Sequence, residues 1–182
     1  MVIPMNSNNL SPSALILVGM PGAGKSTLGV VLAKKLGWAF LDTDLQIQQK
    51  EGRLLQEILD LEGYQALRAA EERVLLGLPT QAPQGIRGRV IATGGSAVYS
   101  EAGMAYLLGL GPVVHLEADL ETLRSRVQDW DQRGIARPPG QSLEELMTER
   151  STLYRRYAHT TLDTRGRTLE DAAQEIMEWL LS

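Results

Sequence analysis

An eight-residue segment close to the amino terminus has the residue types of a loop that binds nucleotide phosphates. It reads Gly-Met-Pro-Gly-Ala-Gly-Lys-Ser over residues 19–26 and matches the pattern GxxxxGK(S/T). Glycine lets backbone amides wrap closely around an anion, and a helix that follows points its positive end at the same phosphates. The residues predicted to bind the nucleotide are Gly22, Ala23, Gly24, Lys25, Ser26 and Thr27.

Side chains in and beyond this loop have the types that phosphoryl transfer needs. Lys25 would neutralise oxygens of the β- and γ-phosphates, and the Ser26 hydroxyl would hold Mg²⁺. Asp42 and Asp44 follow an apolar run two residues apart, so in an extended chain both carboxylates point the same way. Two carboxylates there indicate a metal and a substrate, although Asp is also a favoured N-cap and Asp44 would suit that role.

Short apolar runs alternate with amphipathic segments, and these elements would position the loop and the carboxylates. The runs ALILVG, WAFLD, RVIAT and GPVVHLEA are typical of strands buried in a parallel sheet. One helical face collects Leu28, Val31, Leu32 and Leu36. Gly37 would end that helix, and Thr168 would be the N-cap of a final amphipathic helix. The alternation predicts an α/β fold whose ligands bind beyond the carboxyl ends of its strands.

Two other stretches are candidates for substrate binding. Residues 44–78 are rich in Leu, Glu, Gln, Ala and Arg, and Gly52 and Gly63 interrupt them, which predicts two or three helices beside the sheet. Gly94 and Gly95 end the run RVIAT, where the missing side chains would let a substrate approach the backbone amides.

The composition limits the class of protein. The chain has 182 residues, 43% of them hydrophobic, which suits one domain over residues 14–182 after a flexible leader over residues 1–13. A net charge of -4 argues against nucleic acid and anionic membranes, and no run of 18 apolar residues occurs. There is no cysteine, and His115 and His159 lie far apart, so neither thiolate nor histidine metal sites are predicted. We expect a cytoplasmic monomer.

The order and spacing of several motifs together carry a resemblance to a known family. GMPGAGKSTLGVVLAKKLGWAFLDTD is followed by LRAAE, ATGG, an RPP segment and ERSTLYRRYA. Over residues 14–181 this arrangement resembles shikimate kinase, a branch of the nucleoside monophosphate kinase-like P-loop proteins. The resemblance implies a three-layer α/β fold with a five-stranded parallel sheet flanked by helices. It also implies a helical substrate-binding region at about residues 44–78 and a mobile lid at about 124–141.

The same resemblance implies a reaction and roles for particular residues. The reaction would be ATP- and Mg²⁺-dependent phosphorylation of shikimate to shikimate 3-phosphate, a step of aromatic amino acid biosynthesis. Asp44 would orient the attacking hydroxyl, and Asp42 would help Ser26 to fix Mg²⁺ through water. Substrate contacts are expected from Asp44, Arg68, Gly94, Gly95 and Arg150, the two arginines gripping the carboxylate. Lys25, Asp44 and the lid arginine Arg137 would be the catalytic residues.

Three positions depart from the usual pattern of the family and leave the acceptor open. Ser96 replaces a third glycine, Tyr64 replaces a glutamate, and Leu67 replaces a phenylalanine. These changes affect specificity more than phosphoryl transfer, so a related kinase for another small hydroxy acid, such as homoserine or gluconate, is an alternative. A nucleotide-binding regulator without catalysis is a further alternative, which the intact Lys25 and Asp44 disfavour.

Overall fold

A parallel sheet of five strands forms the centre of the protein. The computed structural model describes residues 12–127 and 134–182. The strands are β1 (Ala14–Val18), β2 (Ala39–Asp42), β3 (Arg89–Ala92), β4 (Val113–Glu117) and β5 (Thr160–Asp163). Their order across the sheet is β2-β3-β1-β4-β5, and every neighbouring pair is parallel. The predicted five-stranded parallel sheet is therefore confirmed.

Helices connect the strands and cover both faces of the sheet. They are α1 (Lys25–Leu36), α2 (Thr43–Glu51), α3 (Leu55–Leu76), α4 (Glu101–Leu110), α5 (Leu120–Arg126), α6 (Leu143–Tyr157) and α7 (Leu169–Leu181), and a 3₁₀ helix covers Ala97–Tyr99. In space, α1 packs against α7, and α3 packs against α4. Right-handed crossovers place these two pairs on opposite faces, because the chain moves from β1 to β2 in one direction and from β3 to β4 in the other. This is the predicted three-layer α/β fold.

The burial of each strand explains whether it can be predicted from the sequence. All five residues of β1 have 0% exposure, so this central strand appears as an uninterrupted apolar run. In contrast, β5 is an edge strand with the polar sequence TTLD, and only Leu162 in it is buried. Its pattern resembles a loop, so the hydrophobic runs alone indicate four strands and not five.

Glycines end or break the helices where the sequence places them. Gly37 and Gly52 follow α1 and α2 with φ values of 65° and 64°, in the left-handed region that favours glycine. Gly63 interrupts α3 with φ 83°, which divides the predicted helical region at that point. Thr168 is the N-cap of α7, since its side chain accepts a hydrogen bond from the Asp171 amide.

The N-cap of α2 is Asp42 and not Asp44. The Asp42 Oδ1 atom accepts hydrogen bonds from the amides of Asp44 at 2.9 Å and Leu45 at 3.5 Å. Asp44 is thus the second helical residue, and the alternative in which it serves as the cap is wrong. The capping bonds hold the Asp42 side chain against the start of α2.

Parts of two predicted segments lie outside the described residues. These are the leader, apart from its last two residues, and the centre of the predicted lid, residues 128–133. Over residues 12–127 and 134–182, no helix is both long and apolar enough to cross a membrane. The same ranges contain no group of three His, Cys, Asp or Glu side chains arranged to hold a metal ion.

Candidate active site

A cavity of about 500 Å³ opens beyond the carboxyl ends of the central strands. The position is the one expected for ligands of an open parallel sheet, beside the point where the chain reverses its direction of travel. Residues from separate elements line it, namely Gly22, Ala23, Gly24, Lys25, Ser26, Thr27, Asp44, Leu67, Glu71, Gly95, Ser96 and Arg150. Most of the residues predicted from the sequence therefore meet at one place.

The glycine-rich loop holds its lysine inside the protein. Lys25 is 7% exposed, and its Nζ donates to the backbone oxygens of Gly19 at 2.8 Å and Met20 at 2.9 Å. Burial lowers the pKa of Lys25 to about 8, although the nearby charges of Asp44 and Asp42 act in the opposite direction. The amine is thus fixed at the base of the loop, where it would meet phosphate oxygens.

The side-chain oxygens of Ser26 and Asp42 lie together beside the loop. The Ser26 hydroxyl donates to Asp42 Oδ2 at 2.6 Å, across the gap between α1 and the end of β2. Asp42 Oδ1 is occupied by the amides at the start of α2, which fixes the orientation of the carboxylate. Hydroxyl and carboxylate oxygens are hard ligands of the type that Mg²⁺ prefers, so these side chains fit the predicted metal.

Two carboxylates crowd the backbone at Gly94. A Cβ atom added there would lie 2.3 Å from Glu71 Oε1 and 2.5 Å from Asp44 Oδ1. The Gly94 amide donates to Thr43 Oγ1 at 2.9 Å. The absent side chain therefore makes room for carboxylates of the protein, and the amide that was expected to face a substrate is already engaged with Thr43.

Glu71 is a buried carboxyl group that the sequence does not identify as part of the site. It is 3% exposed, and burial, followed by the charge of Asp44, raises the pKa of Glu71 to about 7. Arg68 lies one helical turn away from Glu71, but it is the Ser96 hydroxyl that donates to Glu71 Oε2. The serine that replaces a family glycine thus supplies a hydrogen bond to a carboxyl group next to Asp44.

The two predicted arginines converge on one backbone oxygen. Arg68 Nη2 lies 3.3 Å from the oxygen of Ala136, and Arg150 Nη2 lies 2.7 Å from the same atom. Arg150 is 1% exposed, and the Nε atoms of both arginines are buried without a hydrogen-bond partner among the described residues. Arg68 lines an adjoining cavity of about 340 Å³, whose walls share Glu71 and Ser96 with the larger one.

Tyr154 anchors the wall of the cavity near Gly95. Its hydroxyl donates to the backbone oxygen of Gly95 at 2.6 Å, and its ring stacks on His115 with 5.1 Å between centroids. Burial raises the pKa of Tyr154 above its ordinary value, so the hydroxyl keeps its proton. The helical spacing of this tyrosine indicates packing, and the structure adds a hydrogen bond that fixes the loop after β3.

Two arginines that the sequence did not single out line the cavity beside the glycine-rich loop. Arg137 does not line the cavity, and its Nη1 donates to the backbone oxygen of Gln141 at 2.6 Å. Arg126 does line it, with Nη1 3.5 Å from the oxygens of Gly22 and Ala23. Arg167 also lines the cavity, just before the N-cap of α7. Charge alone did not identify these two, because only the fold brings α5 and α7 to the loop.

Comparisons with known proteins identify relatives with the same architecture. The family model described as shikimate kinase matches residues 21–181. A shikimate kinase of Pseudomonas aeruginosa is 40% identical over 168 residues, which cover 91% of this chain and 95% of that protein. A solved structure of shikimate kinase from Acinetobacter baumannii in complex with shikimate has a TM-score of 0.83 and 34% identity, with 94% of each chain covered.

A more distant structure shares the fold alone. A gluconokinase from Sinorhizobium meliloti superposes with a TM-score of 0.50 at 18% identity, over 94% of this chain and 93% of that one. The family match, in contrast, spans residues 21–181 and includes the loop from Pro21 onward, both arginines and the glycines after β3. The chain belongs to the shikimate kinase family.

Proposed function

We propose that this protein is a small-molecule kinase that transfers the γ-phosphoryl group of ATP to a hydroxyl of shikimate. The observation that carries the proposal is the meeting of three groups at one cavity of about 500 Å³: the phosphate-binding loop, the Asp44 carboxylate and the buried Arg150 guanidinium. These groups suit, in turn, a triphosphate, an attacking hydroxyl and a carboxylate. Membership of the shikimate kinase family supports the choice of acceptor.

The proposed chemistry is an in-line displacement at the γ-phosphorus. The acceptor hydroxyl oxygen bonds to this phosphorus, the bond to the bridging oxygen breaks, and ADP leaves. Asp44 orients the hydroxyl and accepts its proton, because a positioned carboxylate aligns the nucleophile without covalent participation. Lys25, held by the oxygens of Gly19 and Met20, neutralises negative charge on the β- and γ-phosphates.

Ser26 and Asp42 are the residues that would hold Mg²⁺. Their oxygens already lie 2.6 Å apart beside the loop, which supports this assignment. When bound, Mg²⁺ supplies further neutralisation of the phosphate oxygens. The backbone amides of Gly22, Ala23 and Gly24 and the start of α1 contribute to the same task through their dipoles.

Arg68 and Arg150 would bind the carboxylate of the acceptor. Both donate to the Ala136 oxygen, so the two guanidinium groups lie close enough to bind one acceptor group together. Their buried Nε atoms have no partner among the described residues, and a carboxylate offers two oxygens to such donors. Asp44 and Gly95 complete the proposed acceptor site, and Gly94 contributes by leaving room for the Asp44 carboxylate.

Two arginines are candidates for contacts with the nucleotide. Arg126 Nη1 lies 3.5 Å from the oxygens of Gly22 and Ala23, and we assign Arg126 a contact with the phosphates or the base. Arg137 remains a prediction as the lid arginine. Its Nη1 donates to the backbone oxygen of Gln141 in this structure.

ADP release by the purified protein tests the proposal. MgATP is supplied with shikimate, homoserine, gluconate or no acceptor, and the phosphorylated product is identified by mass. We expect turnover that depends on shikimate. Turnover with gluconate or homoserine alone would keep the mechanism and overturn the acceptor, and MgATP binding without any product would favour a regulatory protein.

A further inference from the structure

The guanidinium group of Arg68 contacts two aromatic rings. Its Cζ is 3.6 Å from the centroid of the Tyr99 ring and 5.0 Å from that of the Tyr64 ring. Tyr64 precedes Arg68 by one turn of α3, whereas Tyr99 belongs to the 3₁₀ helix that follows the glycines after β3. Tyr99 also lies under the second arginine, with 5.4 Å between its centroid and the Cζ of Arg150.

Among the described residues, no carboxylate orients Arg68 through an ion pair. Within residues 12–127 and 134–182, no ion pair involves Arg68, and Glu71 is bonded to Ser96 instead. The neighbouring Tyr99 hydroxyl and, to a lesser extent, the charge of Arg68 help to lower the pKa of Glu149, but Arg68 and Glu149 do not form an ion pair. A carboxylate would orient the arginine but also neutralise it. An aromatic face orients the guanidinium by a cation–π contact and leaves its N–H donors and its charge available to an anion.

Arg68 donates beside Arg150 and keeps a further buried donor. Arg68 Nη2 reaches the same Ala136 oxygen as Arg150 Nη2, and Arg68 Nε is buried without a partner among the described residues. Stacking fixes the plane of the guanidinium, and the plane sets the direction of every N–H bond. A ring at 3.6 Å therefore determines where Arg68 can place its hydrogen bonds.

We propose that Tyr99 is a positioning residue for the acceptor, which acts by holding Arg68 in the orientation that binds the carboxylate. The inference rests on the proposed function, because it concerns the acceptor site of that reaction. Tyr64 provides a second aromatic contact at a longer distance. Its presence also gives a role to a residue that departs from the family pattern, where a glutamate at that position is usual.

Two substitutions separate the ring from the hydroxyl group. Tyr99→Leu removes the aromatic face, and Tyr99→Phe keeps it. We expect Tyr99→Leu to raise the KM for shikimate about five- to thirty-fold, with the KM for MgATP within about two-fold and kcat within about three-fold of the wild-type values. Tyr99→Phe should restore the KM for shikimate to within about three-fold. Tyr157→Leu, at another ring that contacts an arginine, is the matched control and should leave both KM values unchanged.

A double-mutant cycle tests whether Tyr99 acts through Arg68. In an Arg68→Met background the ring has no guanidinium to orient, so adding Tyr99→Leu should change the KM for shikimate by less than about two-fold. The methyl ester of shikimate provides a second readout, since it lacks the charge that the arginines bind. Wild-type protein and Tyr99→Leu should have the same KM for the ester. Where Tyr99→Leu does not fold, as judged by circular dichroism, Tyr99→Met takes its place.

The outcomes distinguish this inference from the proposed function. If the wild-type protein is active, two results would overturn the inference alone. One is an unchanged KM for shikimate in Tyr99→Leu, and the other is a rise in that KM in Tyr99→Phe as large as in Tyr99→Leu. A rise in the KM for MgATP of the same size would also overturn it, because the effect would then be general. A wild-type protein that neither phosphorylates shikimate nor binds it by calorimetry would overturn the proposed function, and the inference with it.

Discussion

At the scale of single residues, a change at Asp44 should affect turnover and leave nucleotide binding intact. It lines the cavity beyond the phosphate-binding loop, whereas Lys25 and Ser26 belong to the loop itself. We expect Asp44→Asn to lower kcat by about 100-fold or more, because an amide cannot accept the hydroxyl proton, while the Kd for MgATP stays within about three-fold. Steady-state kinetics and calorimetry measure the two effects. Asp60→Asn, on the exposed side of α3, is the control, and wild-type turnover in Asp44→Asn would remove Asp44 from the mechanism.

Lys25 links nucleotide binding to proton uptake. Burial lowers the pKa of Lys25 to about 8, so at pH 8.5 the amine is largely neutral in the free protein. The phosphates of MgATP favour the charged amine and raise its pKa. Binding at pH 8.5 should therefore take up a proton, measured by calorimetry in buffers of different ionisation enthalpy.

Two variants identify the group responsible for that proton. Lys25→Arg, which stays charged, should bind MgATP at pH 8.5 without proton uptake. Glu71→Gln should retain the uptake, because Lys25 is the group that we expect to take up the proton at this pH. Loss of the uptake in Glu71→Gln with its persistence in Lys25→Arg would assign the proton to Glu71 instead.

At the scale of elements, the turn after β3 brings together carboxylates from α2 and α3. A Cβ atom at Gly94 would lie within 2.5 Å of oxygens from both Asp44 and Glu71. Gly94→Ala should therefore displace Asp44 and lower kcat by about 100-fold or more. In contrast, an added Cβ at Gly109 in α4 meets nothing within 4 Å. Gly109→Ala should keep full activity and raise the free energy of unfolding by about 0.5–1 kcal/mol. Wild-type turnover in Gly94→Ala would contradict this account of the turn.

The elements also show how far sequence reasoning extends. The loop at residues 19–26 and the strands β1 to β4 are predictable, because a fixed motif and buried apolar runs are local signals. The strand β5 is not, since an edge strand with one buried residue lacks that signal. Within the site, the convergence of Arg68 and Arg150 follows from motif matches. The contacts of Arg126, Tyr99 and the Ser96–Glu71 pair do not, because they depend on packing between elements distant in sequence.

At the scale of the whole molecule, two buried groups give stability opposite dependences on pH. Burial raises the pKa of Glu71 from its ordinary 4.5 to about 7, so the folded state binds more protons in this range. Its stabilising contribution is complete below pH 4.5 and is lost as the pH rises to 7. Burial lowers the pKa of His115 from 6.5 to about 4, so its contribution is complete above pH 6.5 and is lost as the pH falls to 4.

Between pH 4.5 and 6.5 these two effects oppose each other, and each is on the order of 3 kcal/mol over its full range. Glu71→Gln should therefore lose stability on acidification more steeply than the wild-type protein. His115→Phe, which keeps a ring to stack on Tyr154, should gain stability relative to wild type on the same acidification. Urea unfolding of both single variants and the double variant measures the slopes. Because the double variant lacks both groups, its slope should match the wild-type slope closely. Parallel profiles of stability against pH in all four proteins would show that neither group changes its pKa on folding.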